Sequence, residues 1–337
     1  MIRKLLLSAL VAGALAPSPA RAQQTTAAAA SNAQMQQSPG VLVVSLQKCH
    51  FTTMDQLDAW WRTNAAPILN QMVRENKLQT LWKNGGVAVN GWLGIPSSAS
   101  AESMARCGWD SLVVDLQHGL VDYTDAVPML QAISQTDTTP MARVPWNMPD
   151  IIMKSLDAGA YGVVCPMINT PAECEEFIQN CRYAPRGRRS FGPIRAVMYG
   201  GADYWKFANE TILTIAMIET QQALDNLDAI LKTPGLDSIY VGPSDLGLSL
   251  GFQPGPDPTT PKVAEAIKFI IDTAKKHKIP AGIHCAAPAW AREMIGIGYQ
   301  LVTLGNDNSL MMGAARAAIA ATREGAKAPV QKPGSLY

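Results

Sequence analysis

Short apolar runs punctuated by helix-period stretches dominate the chain from residue 89 onward. Strand-like runs rich in β-branched and aliphatic residues fall at 89–95, 111–116, 140–144, 161–167, 213–219, 238–241, 281–285 and 301–304. Runs of this kind read as buried parallel strands. Helical periodicity fills the intervals, among them 101–107, 124–134, 149–158, 171–182, 221–231, 261–277 and 288–297. Eight alternations over about 250 residues predict a (β/α)8 TIM barrel, because right-handed crossovers leave few other arrangements. A doubly wound open sheet is the alternative, and it lacks a Gly-rich dinucleotide fingerprint after any strand.

Upstream of the barrel the pattern changes. Residues 1–22 combine Arg3 and Lys4, an apolar run over 5–15 and a small-x-small Ala20-Arg21-Ala22, which reads as a signal peptide and predicts export to the bacterial periplasm. A cytoplasmic or mitochondrial location is the alternative. Residues 23–40 are Ala, Gln, Ser and Thr with one Pro-Gly, a flexible linker. Residues 41–86 form an N-terminal extension with helical patterns at 54–62 and 66–83, the second stopped by Gly85-Gly86. The barrel takes 87–326, and 327–337 is a flexible tail.

Composition narrows the class. With 337 residues and 47% of them hydrophobic, the chain can bury a large core. The formal charge is +1, or −2 once the three cations of residues 1–22 are set aside, so bulk charge draws in neither nucleic acid nor a membrane surface. The six cysteines, Cys49, Cys107, Cys165, Cys174, Cys181 and Cys285, show no zinc-ligand spacing and make a thin disulfide framework. The connection over 182–210 is long and rich in Arg and aromatics, the signature of a lid or an interface arm.

Polar residues at the predicted strand ends supply the chemistry. They are Asp115 and His118 after the second strand, Arg143 at the end of the third, Glu219 after the fifth and Asp245 after the sixth. Ligands bind at that edge of parallel α/β sheets. Two carboxylates without a nearby Cys or His pair favour a hard, oxygen-loving cation, Mg2+ or Mn2+. Arg143 then suits an enolate oxygen, and His118, oriented by Asp115, suits proton transfer near neutral pH. The Gly242-Pro243-Ser244-Asp245 turn offers the backbone N–H groups of Ser244 and Asp245 to a carboxylate. No G-x-S-x-G elbow, Walker loop or H-E-x-x-H occurs, and no strand-end Lys is placed for a Schiff base.

The chain resembles the HpcH/HpaI aldolase family of metal-dependent pyruvate aldolases. The motifs that carry the resemblance are Asn90-Gly91-Trp92-Leu93-Gly94, Val114-Asp115-Leu116-Gln117-His118-Gly119, Ala142-Arg143-Val144-Pro145, Cys165-Pro166-Met167, Ile218-Glu219-Thr220 and Gly242-Pro243-Ser244-Asp245-Leu246. It implies a barrel assembled as a hexamer, a trimer of dimers with the last helix exchanged between subunits. It implies that Glu219 and Asp245 hold the metal, with Co2+ a further candidate, that Arg143 contacts the oxo group, and that His118 with Asp115 handles the proton through water. Trp92 would line the aldehyde side, and Gly242, Ser244 and Asp245 the 2-oxo acid. The implied reaction is reversible cleavage of a 4-hydroxy-2-oxo acid to pyruvate and an aldehyde. The alternatives are a CoA-thioester lyase of the citrate-lyase branch, with Arg186, Arg188 and Arg189 for the nucleotide, and a non-catalytic oxo-acid-binding protein. Two positions depart from the family pattern, Gln117 before the His and Met217 before Ile-Glu-Thr.

Overall fold

The computed structural model describes residues 34–38, 41–45 and 76–324. The expected signal peptide, the expected helix at 54–62 and the tail at 327–337 lie outside the described residues. Strand β1 (Gln34–Ser38) pairs antiparallel with β2 (Val41–Ser45), in register Ser38↔Val41. Gln34–Ser38 lies in the stretch expected as a linker, so that stretch contributes a strand of its own.

The second unit is a closed barrel of eight parallel strands. They are β3 (Ala88–Leu93), β4 (Ser111–Asp115), β5 (Thr139–Arg143), β6 (Gly162–Cys165), β7 (Leu213–Ile218), β8 (Ser238–Val241), β9 (Ala281–Cys285) and β10 (Leu301–Asn306). Each strand pairs with the next in sequence, and β10 closes the ring on β3 through Leu301↔Ala88, Val302↔Val89 and Thr303↔Asn90. Between Thr303 and Asn306 the register shifts, with Gly305 at a left-handed φ of 55°. A bulge of this kind bends the strand out at the rim.

Side-chain alternation sorts each strand into two faces. Ile218, Ile239, Val241, Ile283 and Cys285 pack outward against the helices in the largest apolar cluster. Ala88, Trp92, Val113, Met141, Val164, Ile215, Met217 and Tyr240 pack on one another inside the barrel. The helix Lys77–Lys83, part of the stretch expected as helical, supplies Leu78 and Trp82 to that interior cluster, and the Trp82 indole donates to the Gln300 carbonyl at 2.9 Å.

Helix starts follow proline and capping chemistry. Pro occupies the first turn of Pro149–Asp157, Pro171–Cys181, Pro243–Ser249, Pro261–His277 and Pro288–Ile297, where its missing N–H costs no bond. Thr170 with Glu173 and Asp122 with Asp125 form reciprocal capping boxes. The expected single helix over 221–231 is two, Gln221–Asp225 and Leu227–Leu231. Asn226 leaves helical geometry between them and donates its amide to the Asn169 carbonyl at 2.9 Å. The stretch 305–308 is the end of β10 and the start of the helix Asp307–Arg323, capped by Asn306.

In the long connection after Cys181, Arg186, Arg188 and Arg189 each form an ion pair within the chain. Arg189, fully buried at its side chain, pairs with Asp157 at 2.6 Å and donates to the Tyr204 hydroxyl. Arg188 pairs with Glu176 at 2.6 Å, and Arg186 pairs with Glu210. The five described cysteines are free thiols, four of them buried.

Candidate active site

Because inward positions recur every second residue, the strands deliver a matched set of side chains to the C-terminal mouth. Trp92, Asp115, Arg143, Met217, Tyr240 and His284 share the inward parity, and Glu219 follows Met217 by two residues just past the end of β7. Together with Gly94, His118, Gly242, Pro243, Ser244, Asp245, Asn306 and Asn308 they line a cavity of about 400 Å3. The residues expected to form the site, Trp92, Asp115, His118, Arg143, Glu219, Gly242, Ser244 and Asp245, therefore meet in one place. Asp245 is not at a strand end. It stands in the first turn of the helix Pro243–Ser249, beyond β8.

Arg143 is held from two sides. Its Nε donates to Asp115 Oδ1 at 2.8 Å and its terminal amine to Oδ2 at 2.7 Å, a parallel two-bond clamp with both side chains nearly buried. The guanidinium carbon lies 4.1 Å from the centre of the Trp92 ring, a cation–π contact on the remaining face. Asp115 Oδ1 also accepts from the backbone N–H groups of Gln117 at 3.1 Å and His118 at 3.2 Å. The expected orientation of His118 by Asp115 thus runs through the backbone N–H. The carboxylate fixes the backbone of His118 and gives its side-chain bonds to Arg143, since a guanidinium fork matches both carboxylate oxygens. Among the described residues the His118 imidazole has no hydrogen-bond partner.

Glu219 is 2% exposed, and its Oε1 accepts one hydrogen bond, from the Met167 N–H at 2.8 Å. Met167 reaches it from a left-handed φ of 56°, a conformation that costs a branched or bulky residue roughly 1–2 kcal/mol. Burial pushes the Glu219 carboxyl up to about 7, the Met167 N–H lowers it, the nearby Asp245 charge raises it, and Arg143 lowers it. A buried acid so poorly solvated, with a second acid beside it, is an oxygen-donor set short of positive charge. Among the described residues no cluster of three or more His, Cys, Asp or Glu could hold a metal, so these two acids would fill only part of a cation's shell and leave positions for water and substrate. The pair fits a hard divalent cation on those terms.

Gly242 leaves the room that Glu219 needs. A Cβ at this position would stand 2.3 Å from Glu219 Oε2 and 3.2 Å from Met217 Cε. Gly242→Ala is expected to displace the carboxylate, weaken Mn2+ binding at least about tenfold and cost about 1–3 kcal/mol of stability through overpacking. Titration calorimetry with Mn2+ and a denaturant midpoint check both effects. Unchanged Mn2+ affinity would remove Glu219 from the cation site.

Of the two departures from the family pattern, Met217 lines the cavity and Gln117 does not. Four polar lining residues were not marked by the sequence: Tyr240, His284 and, beyond the β10 bulge, Asn306 and Asn308. Thr303, behind them, binds the Tyr240 hydroxyl. For Tyr240 and His284 the inward parity of their strands was the signal available. His284 sits between Ile283 and Cys285, two residues that pack outward, and this places it on the inner face.

Comparison with known proteins agrees with this geometry. Residues 91–314 match the model of the HpcH/HpaI aldolase/citrate lyase family. The chain is 41% identical over 248 residues, 74% of its length and 99% of the relative's, to the hydroxypyruvate/pyruvate aldolase of Rhizorhabdus wittichii. It is 36% identical over 241 residues, 71% of its length and 93% of the relative's, to the 5-keto-4-deoxy-D-glucarate aldolase of Shigella dysenteriae. Among solved structures, an HpcH/HpaI aldolase/citrate lyase family protein from Burkholderia cenocepacia superposes with a TM-score of 0.68 at 30% identity, over 76% of this chain and 98% of the other.

Proposed function

The chain belongs to the HpcH/HpaI aldolase/citrate lyase family, and from that premise we propose that it is a carbon–carbon lyase, a metal-dependent aldolase that reversibly cleaves a 4-hydroxy-2-oxo acid to pyruvate and an aldehyde. One observation carries this reading. Two acids suited to a hard cation and an arginine clamped by Asp115 face the same cavity, so a 2-oxo acid could be gripped at its oxo oxygen from both sides.

Glu219 and Asp245 would hold the cation, Mg2+ or Mn2+, with Co2+ a further candidate. When bound, it supplies Lewis-acid polarisation of the oxo group. Arg143, fixed in advance, offers its positive charge where the enolate oxygen develops, and needs no reorganisation to do so. The first-turn N–H groups of Ser244 and Asp245 have no intrahelical acceptor and are available to the substrate carboxylate. His118, at the mouth with a free imidazole, takes the proton from the 4-hydroxyl in cleavage and returns it in synthesis, through water. Trp92 walls the aldehyde side.

Exchange of the pyruvate methyl protons in D2O tests the reading without knowledge of the aldehyde. Exchange is expected with Mg2+ or Mn2+ and is expected to stop on addition of EDTA. Pyruvate binding by calorimetry without any exchange would favour the non-catalytic binder instead. For the CoA-thioester alternative, Arg189 is buried against Asp157, whereas Arg186 and Arg188 stand exposed in surface ion pairs with Glu210 and Glu176, and a CoA-dependent activity screen separates that reading from the aldolase.

The assembly follows the same reading. Leu310, Met311, Met312 and Ile319 on the helix Asp307–Arg323, and Phe191, Ile194 and Met198 in the long connection, are exposed apolar side chains. An apolar surface of this extent suits subunit contacts of the hexamer that the family resemblance implies. Sedimentation velocity is expected to show a hexamer, and truncation after Glu324 is expected to leave it intact. A monomer would overturn this assembly.

A further inference from the structure

A line of hydrogen-bonded side chains crosses the barrel beneath the cavity, from Ser111 through Asn90, Thr303 and Tyr240 to His284. Asn90 fixes its direction. With its amide nitrogen toward Ser111, it donates to the Ser111 hydroxyl at 2.8 Å and carbonyl at 3.0 Å, and its oxygen accepts from Thr303 Oγ1 at 2.9 Å and the Trp92 indole at 3.0 Å. The reverse orientation would set oxygen against the Ser111 carbonyl and amide against the indole N–H. Thr303 therefore gives its proton to Asn90. Tyr240 in turn donates to Thr303 Oγ1 at 2.7 Å, and its oxygen is left to accept from His284 Nδ1 at 3.3 Å.

This order leaves His284 protonated on Nδ1 and bare on Nε2. Burial and the Arg143 charge hold its pKa down to about 4, against the smaller opposing effects of Asp115 and Asp257, so the ring is neutral near pH 7. Edge-on packing against Trp92, with ring centres 5.6 Å apart, fixes its plane. The ring lines the cavity, and Nε2 has no partner among the described residues. A lone-pair acceptor here repels the oxygens of a carbonyl or a carboxylate. The only donors on a 2-oxo acid or an aldehyde of this reaction are hydroxyl groups.

We propose that His284 Nε2 accepts a hydrogen bond from a hydroxyl on the carbon chain of the substrate, so that the site selects hydroxylated reactants over their deoxy counterparts and turns away a second carboxylate at this position. The inference rests on the aldolase reading and adds to it the class of substrate. The hydroxyl can belong to the oxo-acid donor or to the aldehyde acceptor, and two ratios separate these sources: kcat/KM for hydroxypyruvate over pyruvate, and for glycolaldehyde over acetaldehyde.

In the intact protein one of the two ratios is expected to favour the hydroxylated compound. In His284→Phe that ratio falls about tenfold, the effect of one discriminating hydrogen bond, and His284→Gln, whose amide oxygen also accepts, recovers part of it. The ratio that moves identifies the reactant read by His284. Neither ratio moving by more than about twofold in His284→Phe overturns the proposal. Absence of all turnover and all pyruvate exchange in the intact protein would overturn the aldolase reading instead. The ring itself then still decides the inference by 15N NMR, with His284→Gln for assignment. An Nδ1–H ring supports it, and an Nε2–H ring overturns it.

Discussion

Glu219→Gln is expected to lower metal-dependent pyruvate exchange by about a thousandfold or more, and at the same time to stabilise the metal-free protein at pH 8. The first effect follows from the loss of the buried negative oxygen that a cation needs. The second follows from burial. Glutamine still accepts from the Met167 N–H, but it carries no charge into a position 2% exposed. The carboxyl is pushed up to about 7 from an ordinary value of 4.5. Below pH 4.5 the acid is protonated in folded and unfolded chains alike and costs nothing. As pH rises from 4.5 through 7, the unfolded chain ionises first, the folded chain loses relative stability, and the penalty is complete above 7. The Gln variant escapes it, by about 3 kcal/mol at most. Melting curves of both proteins without metal at pH 5 and pH 8 should diverge only at the higher pH, and added Mn2+ should raise the wild type alone. A variant that still exchanges would remove Glu219 from the cation site.

Arg143→Ala carries the second large effect, and here activity and stability fall together. On the proposed mechanism the substitution takes the guanidinium charge away from the developing enolate oxygen, expected to cost about 10^2–10^3 in kcat. It also leaves Asp115, whose side chain is 9% exposed, as a buried charge without its partner, a loss of about 3–5 kcal/mol. The double variant Asp115→Asn/Arg143→Ala separates the two. Neutralising the acid should recover most of the stability and none of the activity. Arg143→Lys keeps the charge but neither the parallel pair of bonds nor the flat face on Trp92, so an intermediate loss in kcat is expected. Activity equal to wild type in Arg143→Lys would show that a point charge suffices there.

The barrel was legible because its strands are buried on both faces. Runs such as Leu213–Ile218 and Ser238–Val241 are buried throughout and mostly apolar, and proline marks the starts of the helices Pro261–His277 and Pro288–Ile297 to the residue. The break at Asn226 was not legible, because the side chain that makes it binds Asn169, 57 residues away in sequence. Acids and the arginine at strand ends stood out by their place against an apolar background. His284 did not, because a histidine between Ile283 and Cys285 reads equally well as a core residue until the inner face is known.

Alongside the tryptophan that the family resemblance supplied, the sequence determined by itself a list of groups: three acids, an arginine and a histidine, at or just past the ends of strand-like runs. Burial pattern is local, so these positions follow from composition and period alone. The tertiary structure decided how the groups are shared out. Asp115 binds Arg143 because β4 pairs with β5 in the register that sets Asp115 opposite Arg143. Likewise the line from Ser111 to His284 exists only because β10 meets β3 and β9 at the seam, bringing Thr303 between Asn90 and Tyr240. Pairings across a closed sheet depend on register and on closure, and neither is written in any one stretch of the chain.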